Sequence, residues 1–221
     1  MSALARAILK NAIGLALFAV LTAGLIAITQ YVTADKIAEQ KRLAQASALL
    51  EVVPPEQRDN DLLDASFTIA PNDKLQLSEP ATGYRAYKDG QVTGVILPAV
   101  APNGYSGPIR LLVGIDRDGT ILGVRVVEHH ETPGLGDQVE IKKSNWVYEF
   151  NGRSLSNPEP KNWQVAKRGG AFDQFTGATI TPNAVVRAVY RTLRYFKQHR
   201  EALLSEQAQP ETRKRKRQGA A

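Results

Sequence analysis

From Asn11 to Ala34 the chain carries no Asp, Glu, Lys, Arg or His, an uncharged run of 24 residues whose core, Ala12 to Thr29, is built mainly from Leu, Ala, Ile, Val and Phe. A helix needs about 20 apolar residues to cross the hydrocarbon layer, so the run predicts a single transmembrane helix over 11–34. A cleaved signal peptide is the alternative, because Arg6 and Lys10 precede the run and Val32-Thr33-Ala34 resembles a small-residue cleavage site. Signal h-regions are shorter, about 7–15 residues, and the length favours a retained anchor. Arg6 and Lys10 on one side are matched by Lys36, Lys41 and Arg42 on the other, so the positive-inside bias nearly cancels. Long domains translocate largely regardless of charge, which favours a cytoplasmic stub at residues 1–10 and a globular domain on the outer side.

The 221 residues leave room for one such domain beside the anchor. Cysteine is absent, which excludes disulfides, thiolate metal sites, a cysteine nucleophile and cysteine-ligated iron–sulfur clusters. The formal charge is +6, but Arg213-Lys214-Arg215-Lys216-Arg217 supplies five of the positives and leaves a nearly neutral body. Residues 205–221 are polar and basic without a core-forming pattern, and read as a disordered, solvated tail. A tail of this kind also suits binding to an anionic lipid surface or nucleic acid. The absence of interleaved aromatics and an outward-facing domain speak against nucleic acid.

Residues 35–55 have helical character, with Ile37, Leu43, Leu49 and Leu50 among Ala, Gln, Glu and Lys, and extend the membrane helix as a stalk that Pro54-Pro55 ends. Residues 56–83 are polar and irregular apart from an apolar stretch at Phe67–Ala70. Tyr84–Lys88 and Val92–Leu97 flank Asp89-Gly90 and predict a β-hairpin. Ile109, Leu111, Val113 and Ile115 alternate as in a half-buried strand. Asp116-Arg117-Asp118-Gly119 then turns the chain into a strand over Ile121–Val127. That turn lacks the remaining ligands of a calcium loop. The last element is a helix with Thr181 as its expected N-cap and Pro182 at its first position. Val185, Val186, Val189, Leu193 and Phe196 form its apolar stripe, and Arg187, Arg191, Arg194 and Lys197 fall on other, solvated faces. The expected architecture is therefore an α/β (more closely α+β) domain of antiparallel hairpins over 56–204.

The chemistry concentrates before that last helix. Asp173-Gln174-Phe175-Thr176-Gly177-Ala178-Thr179-Ile180-Thr181 packs hydroxyls and small residues into a loop that runs onto a helix start. Gly177 and Ala178 allow a bulky group to approach the backbone. The helix start offers unpaired amides and the positive end of a dipole, a natural seat for a phosphate. From the residues alone, a capped turn without a ligand fits as well.

The run Asp-x-x-Thr-Gly-Ala-Thr resembles the flavinylation motif of proteins that carry FMN through a phosphoester bond to threonine. Gly104-Tyr105-Ser106-Gly107-Pro108-Ile109 and His129-His130-Glu131-Thr132-Pro133-Gly134-Leu135-Gly136-Asp137, with Trp146 and Phe150, are similar to the FMN-binding domain shared by the G subunits of Rnf electron transport complexes and the C subunits of sodium-pumping NADH:quinone reductases. With the anchor, the resemblance spans nearly the whole chain and is closer to the Rnf proteins.

The resemblance implies a periplasmic FMN-binding domain tethered to the bacterial inner membrane. It further implies covalent FMN on Thr179, placed there by a flavin transferase that takes it from FAD, since an unactivated threonine hydroxyl is a poor nucleophile. Asp173, Thr176, Gly177 and Ala178 belong to the same loop. Glu131, Thr132 and Leu135 become candidate flavin contacts, and Thr176 and Thr181 candidate contacts to the phosphate end. The implied role is an electron-carrying subunit of a redox-driven, ion-translocating complex, with no catalytic residue and no metal of its own. Its implied partners are the other proteins of the complex, the transferase and the membrane, without nucleic acid. A membrane-tethered binding module on the same fold, lacking the covalent cofactor, is the competing reading, and an anionic-surface binder acting through residues 213–217 is the third. His129-His130-Glu131 also suggests a metal or acid–base cluster, but adjacent strand-end histidines point to opposite faces, which favours a structural or flavin-contacting loop. Thr132-Pro133-Gly134-Leu135-Gly136 has too few glycines for a dinucleotide fingerprint, and Lys167-Arg168-Gly169-Gly170 reads as a solvated turn.

Overall fold

A computed structural model describes residues 3–205. The basic run at 213–217, and the expected tail apart from Ser205, lie outside the described residues, as does the very start of the expected stub. The chain divides into two bodies at Ala44/Gln45.

Helix α1 runs from Ala3 to Val52. Within the first body, its stretch Ile8–Ile37 is long and apolar enough to cross a membrane, with mean hydropathy 2.4 and no burial against protein. Phe18, Leu21 and Leu25 are all exposed. The threonine hydroxyls in this stretch are satisfied within the helix: Thr22 donates to the Phe18 carbonyl at 2.9 Å, Thr29 to the Leu25 carbonyl at 2.8 Å and Thr33 to the Thr29 carbonyl at 2.8 Å. Such internal pairing is what a hydrocarbon surrounding demands of a polar side chain.

The second body is an antiparallel meander, β1 (Ser66–Ile69), β2 (Ala81–Lys88), β3 (Gln91–Ala101), β4 (Ile109–Asp116) and β5 (Ile121–Glu128), in sequential order across one sheet. The β2–β3 hairpin turns at Asp89 and Gly90, both at positive φ (52° and 74°), the conformation a type I′ turn requires. The β4–β5 turn is held by Asp116, whose Oδ1 accepts from the Asp118 and Thr120 amides, each at 2.8 Å. β1 falls in the segment that reads as irregular. Only Phe67 and Ile69 are buried in it, and two alternating apolar residues on an edge strand are too short a pattern to announce themselves.

The sheet is covered on both faces. Val95, Leu97 and Ala99 of β3 and Ile109, Leu111, Val113 and Ile115 of β4 face helix α2 (Ile180–Leu204), which contributes Val185, Val186, Val189, Leu193 and Phe196. The alternate residues Ile96 and Leu112 face a second cluster built on Leu49, Val52 and Val53 at the end of α1. β4 is thus buried on both sides rather than on one. Val52 seats on a cross-strand glycine pair, Gly114 and Gly123; a Cβ at Gly123 would lie 2.7 Å from the Val52 carbonyl oxygen and one at Gly114 2.5 Å from Val52 Cγ1. Arg125, itself buried, donates to Glu51 Oε2 at 3.0 Å and to the Glu51 carbonyl at 3.0 Å, locking the same joint. Pro54 and Pro55 follow at once, and Pro55 opens a 3₁₀ turn.

Two arginines depart from the solvated role their charge suggests. Arg191 is half-buried: it donates to the Lys74 and Val100 carbonyls at 3.3 and 3.1 Å, and burial holds its guanidinium below its usual range, with Arg187 adding to the shift. Arg85 is 3% exposed, lies 4.3 Å over the Phe67 ring and donates to the Leu203 carbonyl at 2.8 Å. It thereby satisfies an orphan carbonyl in the last turn of α2 with a cation, which suits the dipole there.

The glycine joint yields a direct expectation. Gly123→Ala must push Val52 backbone off the sheet, an overpacking cost of about 1–3 kcal/mol. Thermal unfolding of the detergent-solubilised chain should show a melting temperature lowered by several degrees; an unchanged value would mean that Val52 does not seat on Gly123.

Candidate functional site

The loop before α2 is fixed at its start by both backbone groups of Asp173. Its carbonyl accepts from Trp146 Nε1 at 2.9 Å and its amide donates to Glu149 Oε2 at 2.9 Å. The Asp173 side chain remains exposed. Phe175, 5% exposed, packs edge-on to Trp146 at 5.1 Å. Behind them, Phe150 stacks on Phe172 at 4.8 Å, and Trp163 lies 5.4 Å from Tyr190 of α2. One aromatic tier therefore ties the loop to the helix that follows it. Such edge and offset pairs each add about 0.5–1.5 kcal/mol beyond their buried area.

Phe175 to Ala178 form a tight turn closed by the Ala178 amide on the Phe175 carbonyl at 3.1 Å. Gly177 sits at φ 80°, as the third residue of a type II turn must. A Cβ there would meet Leu135 Cδ2 at 3.4 Å, so the turn lies against the 132–136 loop. Thr176 and Gly177 are exposed, while Ala178 and Thr179 are half-buried.

Helix α2 starts at Ile180, with Thr179 at the cap position and Thr181 inside the first turn. This differs from the expected N-cap at Thr181. The physical reason is burial: Thr181 is 0% exposed and its hydroxyl donates to Glu131 Oε2. Thr179 makes no capping hydrogen bond. Its hydroxyl is left available at a helix N-terminus, where orphan amides and the dipole favour an anion.

Glu131 is 4% exposed. Besides Thr181 it accepts the Ser106 amide on Oε1 at 3.0 Å, and its own amide donates to His129 Nδ1 at 3.0 Å. That bond leaves the His129 proton on Nε2, which donates to Glu140 Oε1 at 2.7 Å. His129 is thus a structural bracket, and His130 is exposed beside it. Thr132 is exposed, and its carbonyl accepts the Leu135 and Gly136 amides, each at 3.1 Å.

All the sequence-derived candidates except Glu131 and Thr181 are exposed or half-buried, and the Gly177 turn brings its loop against Leu135. On the three loops that meet through Gly177, Glu131 and Thr181, Leu135, Ile180 and Tyr105 expose 43%, 50% and 70% of their surface. The Gly177 turn against Leu135 and the free Thr179 hydroxyl at a helix N-terminus leave an accessible place for an anionic group. The sequence names Tyr105 and Ile180 within their motifs but gives neither a role of its own. A lone large apolar residue just after a hydroxyl-rich loop is the signal that points to the latter. Lys167 and Arg168 are exposed on a 3₁₀ turn ended by Gly169 at φ 79°, as a solvated turn requires.

Burial holds the Glu149 carboxyl above the ordinary carboxylate range. The Asp173 amide opposes the shift, the Asp173 charge adds to it and Arg153 opposes it. A folded-state value above the unfolded one contributes stability that is present below about pH 4.3 and lost as pH rises through the raised value. Glu149→Gln keeps an acceptor for the Asp173 amide and removes the charge. It should melt at a higher temperature than the parent at pH 7, with the gap closing by about pH 4; an equal gap at both pH values would refute this.

Comparison with known proteins places these features in a family. Residues 104–194 match the FMN-binding domain and residues 1–52 the RnfG N-terminal region. The G subunit of the ion-translocating oxidoreductase complex of Pseudomonas aeruginosa is 53% identical over 201 residues, covering 90% of this chain and 94% of that protein. The Vibrio cholerae protein of the same name is 46% identical over 197 residues, covering 89% and 94%. Among solved structures, Shewanella oneidensis NqrC is 25% identical, with 71% of this chain and 73% of that chain covered and a TM-score of 0.46. With this identity sustained over nine-tenths of its length, the chain belongs to the G-subunit family of ion-translocating oxidoreductase complexes.

Proposed function

We propose that the chain is the membrane-anchored flavoprotein subunit of such a complex in the bacterial inner membrane. It carries electrons on FMN joined through its phosphate to Thr179, in a domain on the periplasmic side. The observation that carries the reading is the Thr179 hydroxyl itself: it occupies a helix cap position, makes no capping bond and follows a turn that Gly177 keeps open.

Attachment needs an external flavin transferase, because the Thr179 hydroxyl makes no cap bond and an unactivated threonine hydroxyl is a poor nucleophile. Thr179 Oγ1 attacks the flavin-side phosphorus of FAD, the P–O–P bridge breaks, AMP leaves with the bridging oxygen, and the hydroxyl proton passes to a base of the transferase. The exposed Asp173 side chain and the small residues Gly177 and Ala178 give that enzyme access to the loop. Once attached, FMN supplies electron transfer through its isoalloxazine ring. Leu135, Ile180 and Tyr105 offer the ring an apolar rim, and the α2 N-terminus faces the phosphodiester charge. The span Ile8–Ile37 holds the domain at the membrane, where the other proteins of the complex supply and remove electrons.

Coexpression with a flavin transferase should give a fluorescent band that survives denaturing electrophoresis. Thr179→Ala should abolish the band while leaving the melting temperature within a few degrees, because the hydroxyl it removes makes no cap bond among the described residues. Thr176→Ala should retain the band. Undiminished, denaturation-resistant fluorescence in Thr179→Ala would refute attachment at this residue.

A further inference from the structure

We infer that Glu131 is a positioning residue for flavin attachment, acting on Thr179 through the buried hydroxyl of Thr181; the inference rests on the reading that Thr179 is the acceptor. At 4% exposure, the Glu131 side chain presents almost no surface to a bound ring. Its oxygens are instead occupied from two directions, by the Ser106 amide and the Thr181 hydroxyl. Glycines make room for it on both flanks: a Cβ at Gly104 would lie 2.7 Å from Glu131 Oε1, and one at Gly136 would lie 2.7 Å from Oε2 and 3.0 Å from Thr181 Oγ1. A single carboxylate thus binds the loop before β4, the loop after β5 and the first turn of α2.

The link to the acceptor is short. Thr181 lies two residues beyond Thr179, and the Asn183 amide bonds the Thr179 carbonyl at 3.4 Å across the same turn. Fixing Thr181 fixes the rotation of that turn and with it the direction in which the Thr179 hydroxyl leaves the backbone. No Lys, Arg or His pairs with Glu131 among the described residues, so Ser106 and Thr181 carry its compensation. Removing either donor leaves a buried acceptor unsatisfied, whereas replacing both partners with apolar groups of similar shape is far less disruptive to folding. Stability and positioning therefore separate experimentally.

The experiment measures the initial rate of denaturation-resistant flavin uptake by the full-length chain in detergent, with FAD and a flavin transferase, alongside thermal unfolding. Thr181→Val and Glu131→Met should each slow uptake on the order of ten- to a hundredfold, the scale of a small misplacement of a reacting group. Thr181→Ser, which keeps the hydroxyl, should restore uptake to within about twofold of the parent. The double variant Glu131→Met/Thr181→Val should be no slower than the slower single variant, because both disable one linkage. Val113→Ala, a core change in β4 outside this network, should lower the melting temperature and leave uptake at the parent rate. Parent-like uptake in Thr181→Val would overturn the inference while leaving attachment at Thr179 intact, and so would slow uptake in Val113→Ala, which would assign the loss to stability. A parent chain that takes up no flavin would instead overturn the acceptor reading itself, and the inference with it.

Discussion

Burial of the apolar stripe of α2 against the sheet determines where everything else falls. Val185, Val186, Val189, Leu193 and Phe196 are each at most 2% exposed, and full burial of such side chains is worth about 1.5–3 kcal/mol apiece. Single hydrogen bonds in the loops contribute closer to 1 kcal/mol. The stripe therefore decides which way the helix crosses the meander, and the polar contacts adjust its first turn. Because the helix is docked along β3 and β4, its N-terminus meets the loops that lead into β4 and out of β5. The hydroxyl-rich loop, the 104–107 loop and the 131–136 loop converge for that reason, although long stretches of sequence separate them.

At the convergence, the fold gives up a small local gain for access. A threonine at a cap position ordinarily contributes about 1 kcal/mol by bonding a first-turn amide; Thr179 makes no such bond. Thr181, which resembles a cap in sequence, turns inward to Glu131 instead. The buried hydroxyl of Thr181 serves the scaffold, and that of Thr179 stays free for the attachment proposed above. The Asp173 backbone pinned by Trp146 and Glu149, and the Phe175 ring against Trp146, keep the free hydroxyl on a defined turn rather than a loose loop. On the opposite face of the sheet, Val52 on the Gly114–Gly123 pair and Arg125 on Glu51 give the end of α1 an equally specific seat.

How much of this the sequence discloses depends on whether a feature is local. The β2–β3 hairpin is legible because Asp89-Gly90 states its own turn geometry. Helix α2 is legible because its stripe repeats over several turns, and the uncharged run is legible by length alone. The loop proposed for attachment stands out only through the family motif; its residues taken singly fit a plain capped turn. What stays hidden depends on distant partners. The strand at Ser66–Ile69 exists because β2 offers it an edge. Arg191 reads as a solvent-facing charge and Glu131 as a flavin contact or part of a metal or acid–base cluster, because their carbonyl, amide and hydroxyl partners lie 25 to 117 residues away. Gly114 and Gly123 give no local signal, since the group that needs their space, Val52, lies far away in the sequence.

The central claim is a covalent bond, and peptide mapping of the chain purified from its native membrane tests it most directly. The fragment spanning Asp173 to Thr181 should carry the added mass of one FMN less one water, with fragmentation placing it on Thr179 and base treatment removing it. A fragment recovered only in its unmodified mass would contradict the claim.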